Sequence, residues 1–440
     1  MAAPPVTPAA RRRRILALAI PAIGTLVADP LLGLVDTAVA GRIGTAELGA
    51  LGLAVAILAT VSWVFNFLVY GTTATVARAI GAGDHEAAGR RVAHAGVVAA
   101  AIGVVVAAVI AASAEPLVRA FGAVEELVHP AVSYLRIRAV GVPFLLLAYV
   151  GHGAFRGVSD TRTPLVIVVV ANVINGALDA VLVFGLGFGL GGVAWATVAA
   201  EVTAVAAFAL LLRRVDLPLA GHGLPDRTQL RALATISRDL FIRTGSLLLG
   251  LLAVTAAAAR IGTVTAAAHQ VLWQVWIMVS FLLDGFAIAA QAMIGTALGA
   301  GDVEEARTTA HALVGWGVVG GIVIAALLLV GVPVIPGLLT DEVAVLTAAG
   351  SVWWLAMGGH ALNGVVFVLD GVFMGASDFA YLRTWTLVSA VVAAAIAQVA
   401  VASEWGMLGL WVAMEAMLLV RFGALVWRLR GSAWTVASPV

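Results

Sequence analysis

Cysteine is absent from the 440 residues, so neither a disulfide nor a thiolate metal site is available. Charge is scarce as well: Asp, Glu, Lys and Arg make up 11% of the chain against 62% hydrophobic residues, and the mean hydropathy is +1.07. That balance excludes an ordinary soluble globule and predicts a polytopic membrane protein. Lysine is missing altogether, so all 25 basic residues are Arg. With a net charge of +1 this is a compositional bias, and no nucleic-acid partner is expected. Catalytic constellations are missing too. There is no His-Glu-x-x-His, and no Ser/Lys or Asp/Asp pair at catalytic spacing on facing spans, so neither an enzyme nor a cofactor is expected.

What is present is a series of long apolar runs. Spans of roughly 20 apolar residues read as twelve segments: 15–40, 48–77, 92–113, 131–153, 163–185, 191–212, 240–259, 265–297, 310–332, 349–373, 381–402 and 405–427. With the N-terminus inside, the inner ends and loops hold Arg11 to Arg14, the pairs Arg90/Arg91 and Arg213/Arg214, and others to a total of 20 of the 25 Arg. The positive-inside rule therefore places both termini in the cytoplasm, with the lipid bilayer of the plasma membrane as the surrounding medium.

A shift of 218 residues aligns the two halves without a gap over more than a hundred positions. Arg42-Ile43-Gly44-Thr45 meets Arg260-Ile261-Gly262-Thr263, Gly81-Ala82-Gly83-Asp84 meets Gly299-Ala300-Gly301-Asp302, and Gly157, Ser159 and Asp160 meet Gly375, Ser377 and Asp378. Six spans separate each residue from its copy, so the copies share one orientation, as in the parallel-repeat secondary transporters. The expected fold is all-α: twelve transmembrane helices in two six-helix bundles related by a parallel internal repeat. The expected division is a cytoplasmic N-terminal tail over 1–14, a lobe over 15–213, a cytoplasmic linker over 214–239, a second lobe over 240–430 and a C-terminal tail over 431–440. Asp84 and Asp302 read as helix caps, and the glycine-rich stretch Gly185 to Gly192 as a tight turn between spans rather than a nucleotide fingerprint.

In a duplicated scaffold the informative positions are those where the copies differ. Asp36 pairs with Val254, Asp179 with Ala397, and Asn172 and Asn175 pair with Ala390 and Ala393. The first half thus carries a polar cluster that the second lacks. Asn172, Asn175 and Asp179 share one helix face. Asp36, Asp179 and Thr197 lie at one depth, roughly 6 to 9 Å below the outer ends of their spans at 1.5 Å per residue. A carboxylate inside a span costs roughly 2.5 to 3.5 kcal/mol and marks a functional site by default. With no Arg close in sequence, Asp36 and Asp179 bind protons, or hold a hard cation such as Na⁺ with Asn175, Thr197 and backbone oxygens, or bridge helices by hydrogen bonds.

These residues carry a resemblance. Leu34-Val-Asp36-Thr37 with Gly41-Arg42-Ile43-Gly44, Asn175-x-x-x-Asp179 followed by Gly185, Thr197, and Ala268-His269-Gln270 resemble the multidrug and toxic compound extrusion (MATE) family, within its DNA-damage-inducible F (DinF-like) branch. The resemblance covers essentially the whole chain. It implies a secondary active efflux antiporter that exports organic cations or other amphipathic drugs and toxic metabolites in exchange for H⁺ or Na⁺. Ion coupling would lie at Asp36, Asn175, Asp179 and Thr197, which would also be the one Na⁺ site, and bending points at Pro21 and Pro30. Tyr134 and His152 join Asn172 as candidates for the polar network of the first lobe. Asp284, Gln270, Gln274, Asn363, Asp370 and Trp273 are candidates for the substrate cavity; Asp284 has Asn66 as its copy and Asp370 has His152. Glu415 is expected to pair with nearby Arg421, and Trp353 and Trp354 to anchor at the interface. Other family members place coupling carboxylates on spans 7 and 10; their weakness here favours the first lobe. A monomer is expected. The rival function is a lipid-linked oligosaccharide flippase of the same superfamily, for which several basic cavity residues are expected instead.

Overall fold

The computed structural model describes residues 7–215 and 217–436, and for Asp29 the backbone alone. Residues 1–6 and 437–440 of the two expected tails lie outside the described residues, as does the Asp29 side chain. In hydrocarbon every peptide N–H and C=O needs a partner within the chain, so runs this apolar form helices. Among the described residues, eleven helices are long and apolar enough to cross a membrane, and a bent pair makes a twelfth. No strand occurs among the described residues.

The spans run Pro8–Ile43, Thr45–Gly81, His85–Ala120, Glu125–Gly157, Arg162–Gly185, Gly189–Leu212, Arg227–Ile261, Thr263–Gly299, Val303–Val330, Val343–Gly375, Phe379–Ala402 and Gly406–Arg430, and are numbered 1 to 12 in that order. Span 2 is broken at Asn66. Span 10 bends by 46° between its halves Val343–Gly358 and His360–Gly375. Span 5 leaves the α-helical repeat after Asp179 and closes in a π-helical turn over Ala180–Gly185, a local widening that is frequent at functional positions.

The duplication is visible in the turns. Asp84 Oδ1 accepts a hydrogen bond from the Ala87 backbone N–H (2.8 Å), and Asp302 Oδ1 accepts from the Glu305 backbone N–H (2.9 Å). Both aspartates therefore cap helices, as their spacing predicts. Ser159 and its copy Ser377 share a left-handed backbone, at φ 62° and 61°. Small residues let spans approach closely. At Gly364 of span 10 a methyl group would run into the Gly317 carbonyl of span 9. The turn expected from Gly185 to Gly192 is confined to residues 186–188, because Gly185 closes the π-helical turn of span 5 and Gly189 already opens the helix of span 6; Gly187 and Gly189 have positive φ.

The chain forms two compact units. One spans Gly24–Ala234; the other combines the chain up to Ile23 with the chain from Thr235 onward. The division differs from the expected lobes of 15–213 and 240–430 in the assignment of the N-terminal half of span 1, which packs with the second half of the sequence. The reason lies in its side chains. Ile15, Ala19 and Ala22 are buried, and the Arg11 guanidinium donates to Glu305 (2.6 Å) and Thr309 (3.2 Å). The expected linker differs as well, because its residues from Arg227 already belong to the helix of span 7. Pro21 and Pro30 both sit inside the uninterrupted helix Pro8–Ile43, on either side of the point where span 1 passes from one unit to the other.

Candidate functional site

In the Gly24–Ala234 unit, the C-terminal half of span 1 lies along span 5. Asn172 Nδ2 donates to the Ala28 carbonyl (3.0 Å), two residues before Pro30. This bond pins the segment of span 1 that leads to Asp36. One and two turns further along span 5, Asn175 and Asp179 are fully buried, and Asp36 is 8% exposed. The Asp36 and Asp179 carboxyl groups meet at hydrogen-bonding contact. Oδ1 of Asp36 and both oxygens of Asp179 nevertheless find no donor among the described residues. When ionised, both groups are acceptor-only, and a shared proton or a bound cation removes the repulsion between them.

The remaining members close around this pair. Asn175 Nδ2 donates to Thr197 Oγ1 (3.2 Å), and Thr197 in turn donates to the Val193 carbonyl (3.0 Å). Asn175 Oδ1 keeps a free lone pair. The donor set of two carboxylates, an amide oxygen and a hydroxyl is hard and oxygen-only, which fits Na⁺ as well as a proton. No group of three His, Cys, Asp or Glu forms a metal cluster among the described residues. Tyr134 of span 4 is 2% exposed and lies within electrostatic reach of Asp36 and Asp179.

The structure adds two residues that the sequence reading left out. Arg138, one turn beyond Tyr134 on span 4, grips Glu201 of span 6 with both guanidinium nitrogens, at 3.0 and 2.8 Å. The pair lies within electrostatic reach of Tyr134, and Arg138 also of Asp36. Gly141 makes the space, since a methyl group there would strike both side chains. A signal existed: Arg138 and Glu201 are ionisable residues of opposite sign on spans of one lobe. Their separation of 63 residues hid the pairing.

His152, expected in the same network, is elsewhere. Its ring meets Phe208 edge-on at 4.9 Å, near the C-terminal end of span 4 and far from Tyr134, so it is no part of the cluster.

In the other unit, Asp370 is held between Arg243 (2.7 Å) and Arg421, all three residues 6% exposed. Asn363 is fully buried, donating to Ser280 Oγ (3.4 Å) beside His360. Both residues are candidates for the substrate cavity, with bridging between helices as the other reading of Asp370; as folded, both bridge helices within their own lobe. Trp273 stacks on Trp276 at 5.3 Å, Gln270 and Gln274 are exposed, and Asp284 is half-buried. Arg421 pairs with Asp370 and not with Glu415. Trp353 is buried and donates to the Leu328 carbonyl (2.9 Å), whereas Trp354 is exposed, so only the latter suits an interfacial anchor.

Comparison with known proteins agrees over the whole length. The MatE family model matches residues 21–181 and again 245–399, once in each half. The chain is 33% identical over 436 residues to Protein DETOXIFICATION 44, chloroplastic, of Arabidopsis thaliana, covering 94% of this chain and 81% of that protein. It is 32% identical over 438 residues to DNA damage-inducible protein F of Escherichia coli (strain K12), covering 96% and 93%. A crystal structure of MATE in the bent conformation superposes with a TM-score of 0.90, at 22% identity and 96% coverage of both chains. An outward-facing multidrug resistance MATE family transporter of the MOP superfamily superposes with a TM-score of 0.87, likewise at 22% identity and 96% coverage of both chains.

Proposed function

The chain belongs to the MatE family of membrane transporters, and from that premise we propose that it is a secondary active efflux antiporter. It exports organic cations or other amphipathic small molecules in exchange for H⁺ or Na⁺, works as a monomer, and lies in the plasma membrane with both termini cytoplasmic. The observation that carries this reading is the contact between the Asp36 and Asp179 carboxyl groups without a protein donor between them. A bound proton or Na⁺ makes that contact favourable. Its loss leaves two like charges about 4 Å apart, which repel by about 4 kcal/mol at an effective dielectric constant of about 20. Energy of that size shifts a two-state equilibrium by about a thousandfold. Span 1 is where the shift would act, because it contributes residues to both units and carries Pro21 and Pro30. Asn175 and Thr197 orient the pair, and Asn172 holds span 1 against span 5.

The flippase reading asks for unpaired basic residues to hold a pyrophosphate. The buried arginines described here face carboxylates instead: Arg138 pairs with Glu201, and Arg243 and Arg421 with Asp370. The test is efflux of the fluorescent cation ethidium from proteoliposomes, with a proton gradient and a sodium gradient imposed separately. Wild type should respond to one gradient, and Asp36→Asn and Asp179→Asn should lose that response. Normal driven efflux in both variants would remove the pair from coupling, and transport of a lipid-linked pyrophosphate in place of ethidium would favour the flippase.

A further inference from the structure

The 218-residue repeat carries a consequence for the second lobe. Gly141 has Gly359 as its copy, Thr197 has Glu415, and Arg138 has Ala356. Each lobe packs a glutamate carboxylate against the repeated glycine: Glu201 on Gly141 in the first, Glu415 on Gly359 in the second. In the first lobe the charge is cancelled by Arg138. In the second the copy of Glu201 is Leu419, so the carboxylate reaches the glycine from the position of Thr197 instead, and the residue corresponding to Arg138 is the buried Ala356, which supplies no cation.

Glu415 is 9% exposed, on span 12, about 13 Å from the N-terminal end of its helix at 1.5 Å per residue. Its neighbours leave the charge unmatched. Span 12 packs against spans 7, 8, 10 and 11, and the charged residue that span 7 brings is Arg243, held on Asp370. From span 8 come His269, its ring tilted against Trp411, and the half-buried Asp284. From span 10 come His360, which stacks on Trp276, and Asp370, taken by Arg243 and Arg421. From span 11 come Tyr381, bonded to the Ala424 carbonyl and set against Arg428, and Arg383, paired with Asp239. On span 12 itself Arg421 is committed to Asp370 and Arg428 to Asp378, and Arg430 lies at the C-terminal end. None of these forms a hydrogen bond or ion pair with Glu415 among the described residues.

A carboxyl group buried in a membrane lobe without a counter-charge is neutral or holds a cation. We propose that Glu415 is a second proton-exchange site, set on a repeated glycine in the lobe that does not hold Asp179. Its carboxyl lies against Gly359, at the 46° break of span 10. The next residue, His360, is buried and has a ring Nε2 without a partner. Loading and unloading of this proton therefore bears on the bend of span 10. The part it plays in transport rests on the antiport reading above; the proton site itself does not.

The experiment is pH-difference infrared spectroscopy of the full chain in detergent, following the C=O stretch of protonated carboxylic acids. Wild type should show a component that disappears as the pH is raised. Glu415→Gln should lose it, Glu415→Asp should move it, and the double variant Asp36→Asn/Asp179→Asn should keep it. An unchanged spectrum in both Glu415 variants would overturn the proposal. So would a component that responds to replacing choline chloride by sodium chloride at fixed pH but not to pH. Ethidium efflux by the same variants separates the two readings. If Asp36→Asn and Asp179→Asn transport normally, the first-lobe coupling fails, while the Glu415 band still stands or falls by itself.

Discussion

Replacing Arg138 by Met should destabilise the first lobe more than replacing Glu201 by Gln, and replacing both by Met should cost least of all. The two side chains are only 11% and 13% exposed and meet through two charge-assisted bonds. Removing one member of a buried pair typically costs about 3–5 kcal/mol, because the other charge stays behind without a partner, whereas apolar replacement of both is often neutral. The surroundings set the order of the single variants. Without Arg138, Glu201 is left in a neighbourhood whose other acids are Asp36 and Asp179; without Glu201, Arg138 still has Asp36 within electrostatic reach. Arg138→Met should therefore fall near the upper end of that range and Glu201→Gln near the lower. Equilibrium unfolding of the purified protein in mixed micelles, read by tryptophan fluorescence, gives the three energies and their coupling. Single-variant losses that add to the double-variant loss within about 0.5 kcal/mol would show that the pair is not one unit. A milder Arg138→Met would refute the electrostatic argument even if the coupling were present.

The same unfolding measurement tests the second lobe. Asp370→Asn leaves two guanidinium groups facing each other in a buried site and should cost about 3–5 kcal/mol, whereas Arg421→Gln leaves Asp370 paired with Arg243 and should cost less. A reversed order would mean that the triad is not arranged as described. Asp84→Ala and Asp302→Ala remove equivalent helix caps and should each cost about 1 kcal/mol. Amide exchange should quicken at Ala87 in the first variant and at Glu305 in the second. Slow exchange in either variant would show that the cap contributes nothing there.

Much of the architecture was legible because membrane insertion leaves few options. Apolar runs must be helical, their ends are marked by arginine, and the 218-residue repeat fixes the parallel relation of the halves. The acid cluster was legible for a related reason: a carboxylate that survives at Asp36 or Asp179 in so apolar a setting needs a purpose, and helical spacing put Asn172, Asn175 and Asp179 on one face. His152 was misjudged because depth along a span is poorly fixed by pattern, and it lies too near the C-terminal end of span 4. The partners that engage Asp370 and Asn363 were not legible because they are remote in sequence. Arg243 is 127 residues from Asp370, and Ser280 is 83 residues from Asn363.

The sequence by itself determined the helices, the duplication and the acids that only the first half carries, since each follows from local composition or from the match between two segments. Only the tertiary structure decided which charges cancel. It gave Arg138 to Glu201 and Arg421 to Asp370, left Glu415 without a cation, and placed the N-terminal half of span 1 with the second half of the chain. Pairings of that kind depend on which helix faces meet across tens or hundreds of residues, and the packing of small residues such as Gly141 and Gly359, not periodicity along one span, decides where two side chains fit.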